Sequence, residues 1–79
     1  MASLSKNSRE IARSLGRVVR QLREERSLSQ EEFAVLTGHH RTYIGFLERG
    51  ERSPNIETVD RIARALELKA SDLLREAGY

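Results

Sequence analysis

The segment from Ser29 to Gly50 restricts the fold more than any other part of the chain, because it contains two short helical patterns joined by a turn. Ser29 is followed three residues later by Glu32, and this capping box predicts a helix that begins at Gln30. Gly38 is expected to end that helix, since glycine enters left-handed backbone conformations without a steric penalty. The inner face predicted for this helix consists of Phe33, Ala34 and Leu36.

A second helical pattern follows the turn and ends at Gly50. Its inward positions are Tyr43, Ile44 and Leu47. The positions left to face away from the core are Arg41, Thr42, Gly45, Phe46 and Arg49. Two short helices joined by a tight turn are typical of a helix-turn-helix, in which the second helix lies in the major groove of DNA. We therefore place this motif at about residues 30–49 and expect double-stranded DNA as the partner.

The motif resembles the helix-turn-helix repressors typified by the lambdoid phage repressors, and the run HRTYIGFLERGERSPN is similar to the controller proteins of restriction–modification systems. The resemblance extends from about Leu15 to Leu74. It implies an all-α, compact five-helix lambda-repressor-like DNA-binding domain. It also implies a homodimeric transcriptional regulator that activates or represses its own gene and an endonuclease gene, with two dimers on one operator. The alternatives are a phage or prophage Cro-like repressor and an antitoxin-type regulator that binds a protein partner.

The rest of the chain adds three helical patterns and no strand pattern, so its 79 residues are expected to form one domain. We expect residues 1–6 to form a mobile polar tail and Asn7, followed by Glu10, to cap the first helix. Asn55 should cap a fourth helix, whereas a fifth at about Ala70–Glu76 lacks a Ser or Thr cap. The inward positions are Ile11, Leu15, Val18, Val19 and Leu22 in the first helix, and Ile56, Val59, Ile62, Ala63 and Leu66 in the fourth.

Composition argues against several other classes of protein. The chain has no Cys, so it can form neither a disulfide framework nor a thiolate zinc site. It has no apolar run near the roughly 18 residues of a membrane span, and its first residues lack the apolar region of a signal peptide. We therefore expect a cytoplasmic protein without a cofactor. His39 and His40 are adjacent and would not face one another on a helix, so we expect neither a metal site nor an enzyme.

The net charge is only +2, but 12 of the 14 cationic residues are Arg. The planar guanidinium group suits phosphates and guanine edges. A GC-rich genome, which encodes Arg in preference to Lys, would produce the same bias, so composition leaves both explanations open. A small net charge is compatible with DNA binding because one face can be basic while acidic residues lie elsewhere.

By position in the motif, the resemblance assigns base contacts to His40, Arg41, Thr42, Gly45 and Phe46. Arg41 is the first choice, because a guanidinium can donate to both O6 and N7 of one guanine and discriminate by about 1–3 kcal/mol. Its alternatives are a phosphate contact and a solvated surface charge. Thr42 suits a base edge or a thymine methyl, and Gly45 lets the helix approach the DNA closely. Phe46 would either meet thymine methyls or be partly buried beside the second helix.

Phosphate contacts are expected from Gln30, Tyr43, Arg49, Arg52, Ser53 and Asn55. Gln30 begins the second helix, where free N–H groups and the helix dipole favour phosphate. For Asn55, the role of helix cap is expected to outweigh a DNA contact. The resemblance further implies that Arg23 and Glu48 form a buried ion pair between the first and third helices. We therefore expect this pair to stabilise the fold and not to contact DNA.

One recognition helix covers too few base pairs to select a site in a genome, so we expect a two-fold homodimer with half-sites about 34 Å apart. The predicted dimerisation region is residues 66–79, with Leu66, Leu68, Leu73, Leu74 and Tyr79 as candidates. Some of these residues must instead close the core. Contact with RNA polymerase would need an acidic surface. The candidates for it are Glu24, Glu25, Glu31 and Glu32, which alternatively form an ordinary solvated face.

Overall fold

The computed structural model describes the backbone of residues 2–79 and the side chains of residues 8–79. This part of the chain folds into five α-helices joined by short loops. They are α1 (Ala2–Glu25), α2 (Gln30–Thr37), α3 (Arg41–Glu48), α4 (Ile56–Ala65) and α5 (Ala70–Glu76). Residues 2–79 contain no strand, and the predicted all-α, five-helix fold is confirmed. Within the same residues, no helix is both long and apolar enough to span a membrane.

The first helix begins earlier than the sequence predicts. Its first residue is Ala2, so Asn7 lies inside α1 instead of capping it, and residues 2–6 are helical where a mobile tail was expected. Met1 lies outside the described residues. The physical reason is that neither Pro nor Gly, the two strongest helix breakers, precedes Gly16 in the sequence.

Local capping sets both ends of α2. Ser29 Oγ accepts the Glu32 N–H at 3.0 Å, and the Glu32 carboxylate accepts the Ser29 N–H at 2.8 Å. Gly38 has a φ of 73°, in the left-handed region, and its N–H donates to the Val35 carbonyl at 3.2 Å. The predicted capping box and the predicted turn are therefore confirmed.

The core is built from side chains of all five helices. α1 packs against α3 and α5, α2 packs against α3 and α4, and α4 packs against α5. The large side chains that are fully buried are Val19, Phe33, Ile44, Leu47, Ile62, Leu66 and Leu73. Because Phe33 and Ile44 belong to the two helices of the motif, the core that stabilises the domain also sets the position of α3.

Two residues predicted to face the core are exposed. Leu36 is 57% exposed, because Thr37 takes the inward position instead and its hydroxyl donates to the Ala34 carbonyl at 3.1 Å. Ile56 is 87% exposed, because it is the first residue of α4 and lies at the edge of the apolar face that continues from Val59.

Gly16 allows α1 to approach the end of α3 closely. A Cβ atom at this position would lie 2.3 Å from the Leu47 carbonyl oxygen and 2.7 Å from that of Glu48. Only glycine fits this contact, although glycine inside a helix is about 0.5–1 kcal/mol less favourable than Ala. The close approach fixes the depth at which α3 lies against α1.

Candidate nucleic-acid interface

The outward face of α3 forms one stripe. With 3.6 residues per turn, positions 41, 42, 45, 46 and 49 fall within about 140° of the helix surface. Arg41, Thr42 and Arg49 are exposed and Phe46 is half-buried, whereas Gly45 is buried. Gly45 departs from the prediction because the Arg49 side chain covers it: Arg49 Nη1 lies 3.1 Å from the point where a Gly45 Cβ would be. We call these five residues the recognition stripe.

His40 caps the helix that carries the recognition stripe. It is the N-cap residue of α3, and its Nδ1 accepts the Thr42 N–H at 3.1 Å. While Nδ1 accepts this bond, Nε2 is the ring nitrogen left to donate. By its position in the motif, His40 is predicted to make only a base contact. The cap is an additional role, and it leaves an Nε2–H donor beside the first residues of α3.

Tyr43 packs on the turn that precedes α3. Its ring is half-buried and stacks on His39, with the ring centroids 4.8 Å apart and 19° between the planes. His39 Nδ1 lies 3.0 Å from the Thr37 carbonyl oxygen, which ties this ring to the end of α2. The two histidines therefore have different structural partners. The phosphate contact of the Tyr43 hydroxyl stays a prediction.

Two guanidinium groups lie close to the Phe46 ring. The Cζ atoms of Arg49 and Arg52 are 5.3 Å and 5.4 Å from the centroid of this ring. Cation–π contacts of this kind contribute about 0.5–1 kcal/mol at exposed sites. The ring is partly buried, and its neighbours here are these two arginines, both predicted to bind phosphate. That Phe46 meets thymine methyls stays a prediction.

A buried ion pair anchors α3 to α1. Arg23 Nε donates to Glu48 Oε2 at 2.6 Å, and Arg23 Nη2 donates to Glu48 Oε1 at 3.0 Å. The remaining side of the guanidinium donates from Nη1 to the Leu28 carbonyl at 2.7 Å. The hydrogen bond with Glu48 raises the pKa of Arg23, against the effect of its own burial. The predicted structural pair is confirmed.

Gln30 extends this network to α2. Its Nε2 donates to Glu48 Oε1 at 3.0 Å, so a single carboxylate connects α1, α2 and α3. This bond orients the Gln30 side chain at the start of α2. An amide nitrogen carries two N–H donors, and the second can serve a phosphate oxygen.

A polar cleft of about 360 Å³ opens beside the recognition stripe. The residues that line it are Arg20, Arg23, Gln30, Gly45, Glu48 and Arg49. Arg20 and Arg49 are exposed there and offer two guanidinium groups from different helices. Arg20 is not among the residues that the sequence predicts to contact DNA. The available signal was its position three residues before Arg23, which places both on one face of α1.

Carboxylates lie among the cations of this surface. The pairs are Arg41–Glu31 at 3.4 Å, Arg49–Glu51 at 3.1 Å and Arg20–Glu24 at 3.3 Å. Both members of each pair are exposed, and exposed ion pairs contribute only about 0–1 kcal/mol. DNA bound here must therefore either replace these bonds or coexist with them.

The loop after α3 borders an apolar groove. Asn55 Oδ1 accepts the Thr58 N–H at 2.8 Å, so Asn55 caps α4 as predicted. Ser53 is exposed and lies with Pro54 at the groove, whose volume is about 250 Å³. The other residues that line the groove are Ile11, Ala12, Leu15, Ile56, Val59, Ala70 and Leu74.

The candidate dimerisation residues divide into two groups. Leu66 and Leu73 are 0% exposed, and the expectation that they meet a partner is wrong, because both side chains close the core of the protomer itself. Leu68 and Leu74 are half-buried, and Tyr79 is exposed. These three remain accessible to a second protein, and Leu74 also lines the apolar groove.

A tight turn between two short helices, with an outward stripe that carries Arg and Thr, defines a helix-turn-helix DNA-binding protein. The helix-turn-helix family model HTH_3 matches residues 19–73. The chain therefore belongs to this family and is a DNA-binding transcriptional regulator. The family is one of regulators and not of enzymes.

Similar proteins include controllers of restriction–modification systems. Control protein C.SmaI of Serratia marcescens is 41% identical over 69 residues, which are 87% of this chain and 82% of that protein. Control protein C.BamHI of Bacillus amyloliquefaciens is 42% identical over 60 residues, which are 75% of this chain and 74% of that protein. The restriction–modification controller protein C.AhdI of Aeromonas hydrophila has a crystal structure that matches with a TM-score of 0.76 and 35% identity. That match covers 78% of this chain and 94% of C.AhdI, and the predicted resemblance is confirmed.

Proposed function

We propose that this protein is a restriction–modification controller: a homodimer that binds a specific operator and regulates transcription of its own gene and of the endonuclease gene. The observation that carries the proposal is the recognition stripe, with Arg41 and Thr42 exposed at the start of a helix that the buried Arg23–Glu48 pair holds in place. The similarity to C.SmaI, C.BamHI and C.AhdI supports the regulatory role.

In this proposal the start of α3 contacts base edges in the major groove. Arg41 donates to O6 and N7 of a guanine, and Thr42 places its hydroxyl or methyl group against a neighbouring base pair. His40 adds the Nε2–H donor that its cap leaves available. Gly45 presents no side chain of its own, so a close approach requires only that the flexible Arg49 side chain turns towards a phosphate. The accessible part of the Phe46 ring meets thymine methyls.

Phosphate contacts then hold α3 in register without reading sequence. Gln30 donates from the start of α2, and Arg49 and Arg52 donate from the end of the recognition stripe and the loop beyond it. Arg20 joins them from α1 across the polar cleft. Each neutralised phosphate releases condensed cations, so the logarithm of the affinity should fall with the logarithm of the salt concentration, with a slope of about −0.9 per contact.

A second copy of the chain is the proposed occupant of the apolar groove. A two-fold contact requires a patch that is complementary to itself. The groove fits this requirement, because the side chain of Ile56 protrudes at its edge while Leu74 and Val59 form its walls. Leu68 and Tyr79 complete the candidate surface. Occupancy of the operator by one dimer and then by a second would make regulation depend on protein concentration.

The acidic residues considered for RNA polymerase contact all have partners inside the chain. Glu24 accepts from Arg20, Glu25 from Gln21, Glu31 from Arg41 and Glu32 from the Ser29 backbone. These bonds favour the interpretation of a solvated, structural face. We therefore assign the proposed polymerase contact to no particular residue.

The test is selection of binding sites from a randomised duplex library, followed by titration of the enriched operator and of a random duplex. We expect a palindromic operator with half-sites about 34 Å apart. Arg41→Ala should lower the preference for the operator at least about fivefold while leaving the circular dichroism unchanged. Arg20→Ala is the matched control and should weaken both duplexes alike. A library in which no sequence is enriched would refute the proposal.

A further inference from the structure

We infer that Glu31 is a specificity-determining residue that acts through Arg41, by orienting its guanidinium group towards a base and withholding it from phosphate. The inference rests on the DNA-binding function proposed above. Its starting point is the bond from Arg41 Nη1 to Glu31 Oε1 at 3.4 Å. This bond joins the first turn of α2 to the first residue of α3 across the turn of the motif.

The bond with Glu31 uses one side of the guanidinium group only. An Arg side chain carries one donor on Nε and two on each terminal nitrogen, in a rigid planar arrangement. While Nη1 faces Glu31, the edge formed by Nε and Nη2 still presents two parallel donors, the number that O6 and N7 of guanine accept. Arg41 can therefore contact a guanine and keep its bond with Glu31, which favours this orientation of the guanidinium.

The same carboxylate is unfavourable to phosphate. The side chains of Arg41 and Glu31 are 61% and 74% exposed, so a duplex that approaches α3 meets both charges. On a random duplex Arg41 lacks its guanine and can contact only a phosphate. Glu31 competes with that phosphate for the guanidinium and also repels it. On the operator both bonds of Arg41 coexist. Glu31 should thus weaken random binding more than operator binding.

The neighbouring pair shows why Glu31, and not Glu51, is assigned this role. Arg49 donates to Glu51 from Nε at 3.1 Å, which engages the edge formed by Nε and Nη2, and its Nη1 lies against Gly45. Arg49 is also turned towards the Phe46 ring. Each two-donor edge of Arg49 thus has one nitrogen in contact with the protein, whereas the bond of Arg41 with Glu31 engages only the edge that contains Nη1.

The test compares Glu31→Gln with Glu57→Gln. Each glutamate lies in the first turn of its helix, Glu31 in α2 and Glu57 in α4, so the two substitutions remove the same charge from equivalent helix positions. The preference is the dissociation constant for a random duplex divided by that for the selected operator. We expect Glu31→Gln to bind the random duplex about two- to fivefold more tightly, the effect of one exposed ion pair. Operator affinity should change less, so the preference falls, whereas Glu57→Gln should leave it unchanged.

Two further measurements separate the outcomes. The salt dependence of random binding should steepen by about 0.9 in Glu31→Gln, because Arg41 gains a phosphate. In an Arg41→Ala background, Glu31→Gln should leave the preference unchanged. If Glu31→Gln alone keeps the wild-type preference, or lowers it equally without Arg41, the role of Glu31 is overturned while DNA binding stands. A wild-type protein that selects no operator would overturn the proposed function and this inference together.

Discussion

Arg23 and Glu48 share two parallel hydrogen bonds, 2.6 Å and 3.0 Å long, which join the last turn of α1 to the last residue of α3. Burial of two charges is costly, and such a pair often adds little net stability compared with apolar residues. What it does here is fix geometry. Because Gln30 also donates to Glu48, the carboxylate sets both helices of the motif against α1.

Removal of Arg23 should strongly lower the free energy of unfolding. Arg23→Ala leaves the Glu48 carboxylate buried without its cation, which should lower the free energy of unfolding by about 3–5 kcal/mol, a large part of the roughly 5–15 kcal/mol of a small domain. Urea denaturation followed by circular dichroism measures the change. Arg20→Ala, on the exposed part of the same helix face, is the control. Equal urea midpoints for the two variants would contradict the structural role of Arg23.

Gly16 and Gly45 should respond to alanine in opposite directions. A Gly16 Cβ would collide with the α3 backbone, so Gly16→Ala should lose about 1–3 kcal/mol of stability as the two helices separate. A Gly45 Cβ would meet only the end of the flexible Arg49 side chain. Gly45→Ala should therefore keep or slightly raise the melting temperature, since Ala favours helix. Tolerance of Gly16→Ala would show that α1 and α3 do not approach this closely.

The capping box of α2 predicts a pH dependence of stability. The Ser29 N–H lowers the pKa of Glu32 below its ordinary value of 4.5 by donating to the carboxylate. Because the folded pKa is the lower one, this contribution is present above about pH 4.5 and is lost as the pH falls through the folded pKa. Glu32→Gln should reduce the loss of melting temperature on acidification from about pH 6 to about pH 3.

The control for the capping box is Glu57→Gln, which removes a first-turn carboxylate from α4, where Asn55 provides the cap. It should retain more of the acid sensitivity of the wild type than Glu32→Gln does. Ser29→Ala should lower stability by about 0.5–2 kcal/mol at neutral pH. If acidification lowers the melting temperatures of Glu32→Gln and the wild type equally, protonation of Glu32 does not affect the stability of the fold.

Local chemistry made much of this fold predictable. The helix caps form hydrogen bonds with backbone groups only a few residues away, so the sequence alone determines which helix end they cap. These caps are the Ser29–Glu32 capping box, Gly38 and Asn55. The Arg23–Glu48 pair connects distant residues, and only the resemblance to known repressors indicated it. The exposed stripe of α3 followed from helical periodicity, with Gly45 as the exception.

Contacts between helices could not be predicted in the same way. Leu73 and Leu74 are adjacent on a helix of seven residues, too short for periodicity to choose which one faces the core. The packing of α5 on α4 decides it, and it turns Leu73 inward. The Arg41–Glu31 bond and the place of Arg20 at the cleft likewise depend on how α1, α2 and α3 cross, which no local pattern specifies.

The apolar groove yields a prediction that separates an interface from a core. Ile56→Asp should produce monomers at micromolar concentration in sedimentation velocity while keeping the helical circular dichroism, because Ile56 is exposed and Asp suits the first turn of a helix. Leu73→Asp should instead lose the helical signal, since it buries a charge in the core. An Ile56→Asp variant should also bind the palindromic operator weakly while its affinity for a single half-site stays near that of the wild-type protomer. If Ile56→Asp sediments as the wild-type dimer, the groove is not the interface, and the search moves to Leu68 and Tyr79.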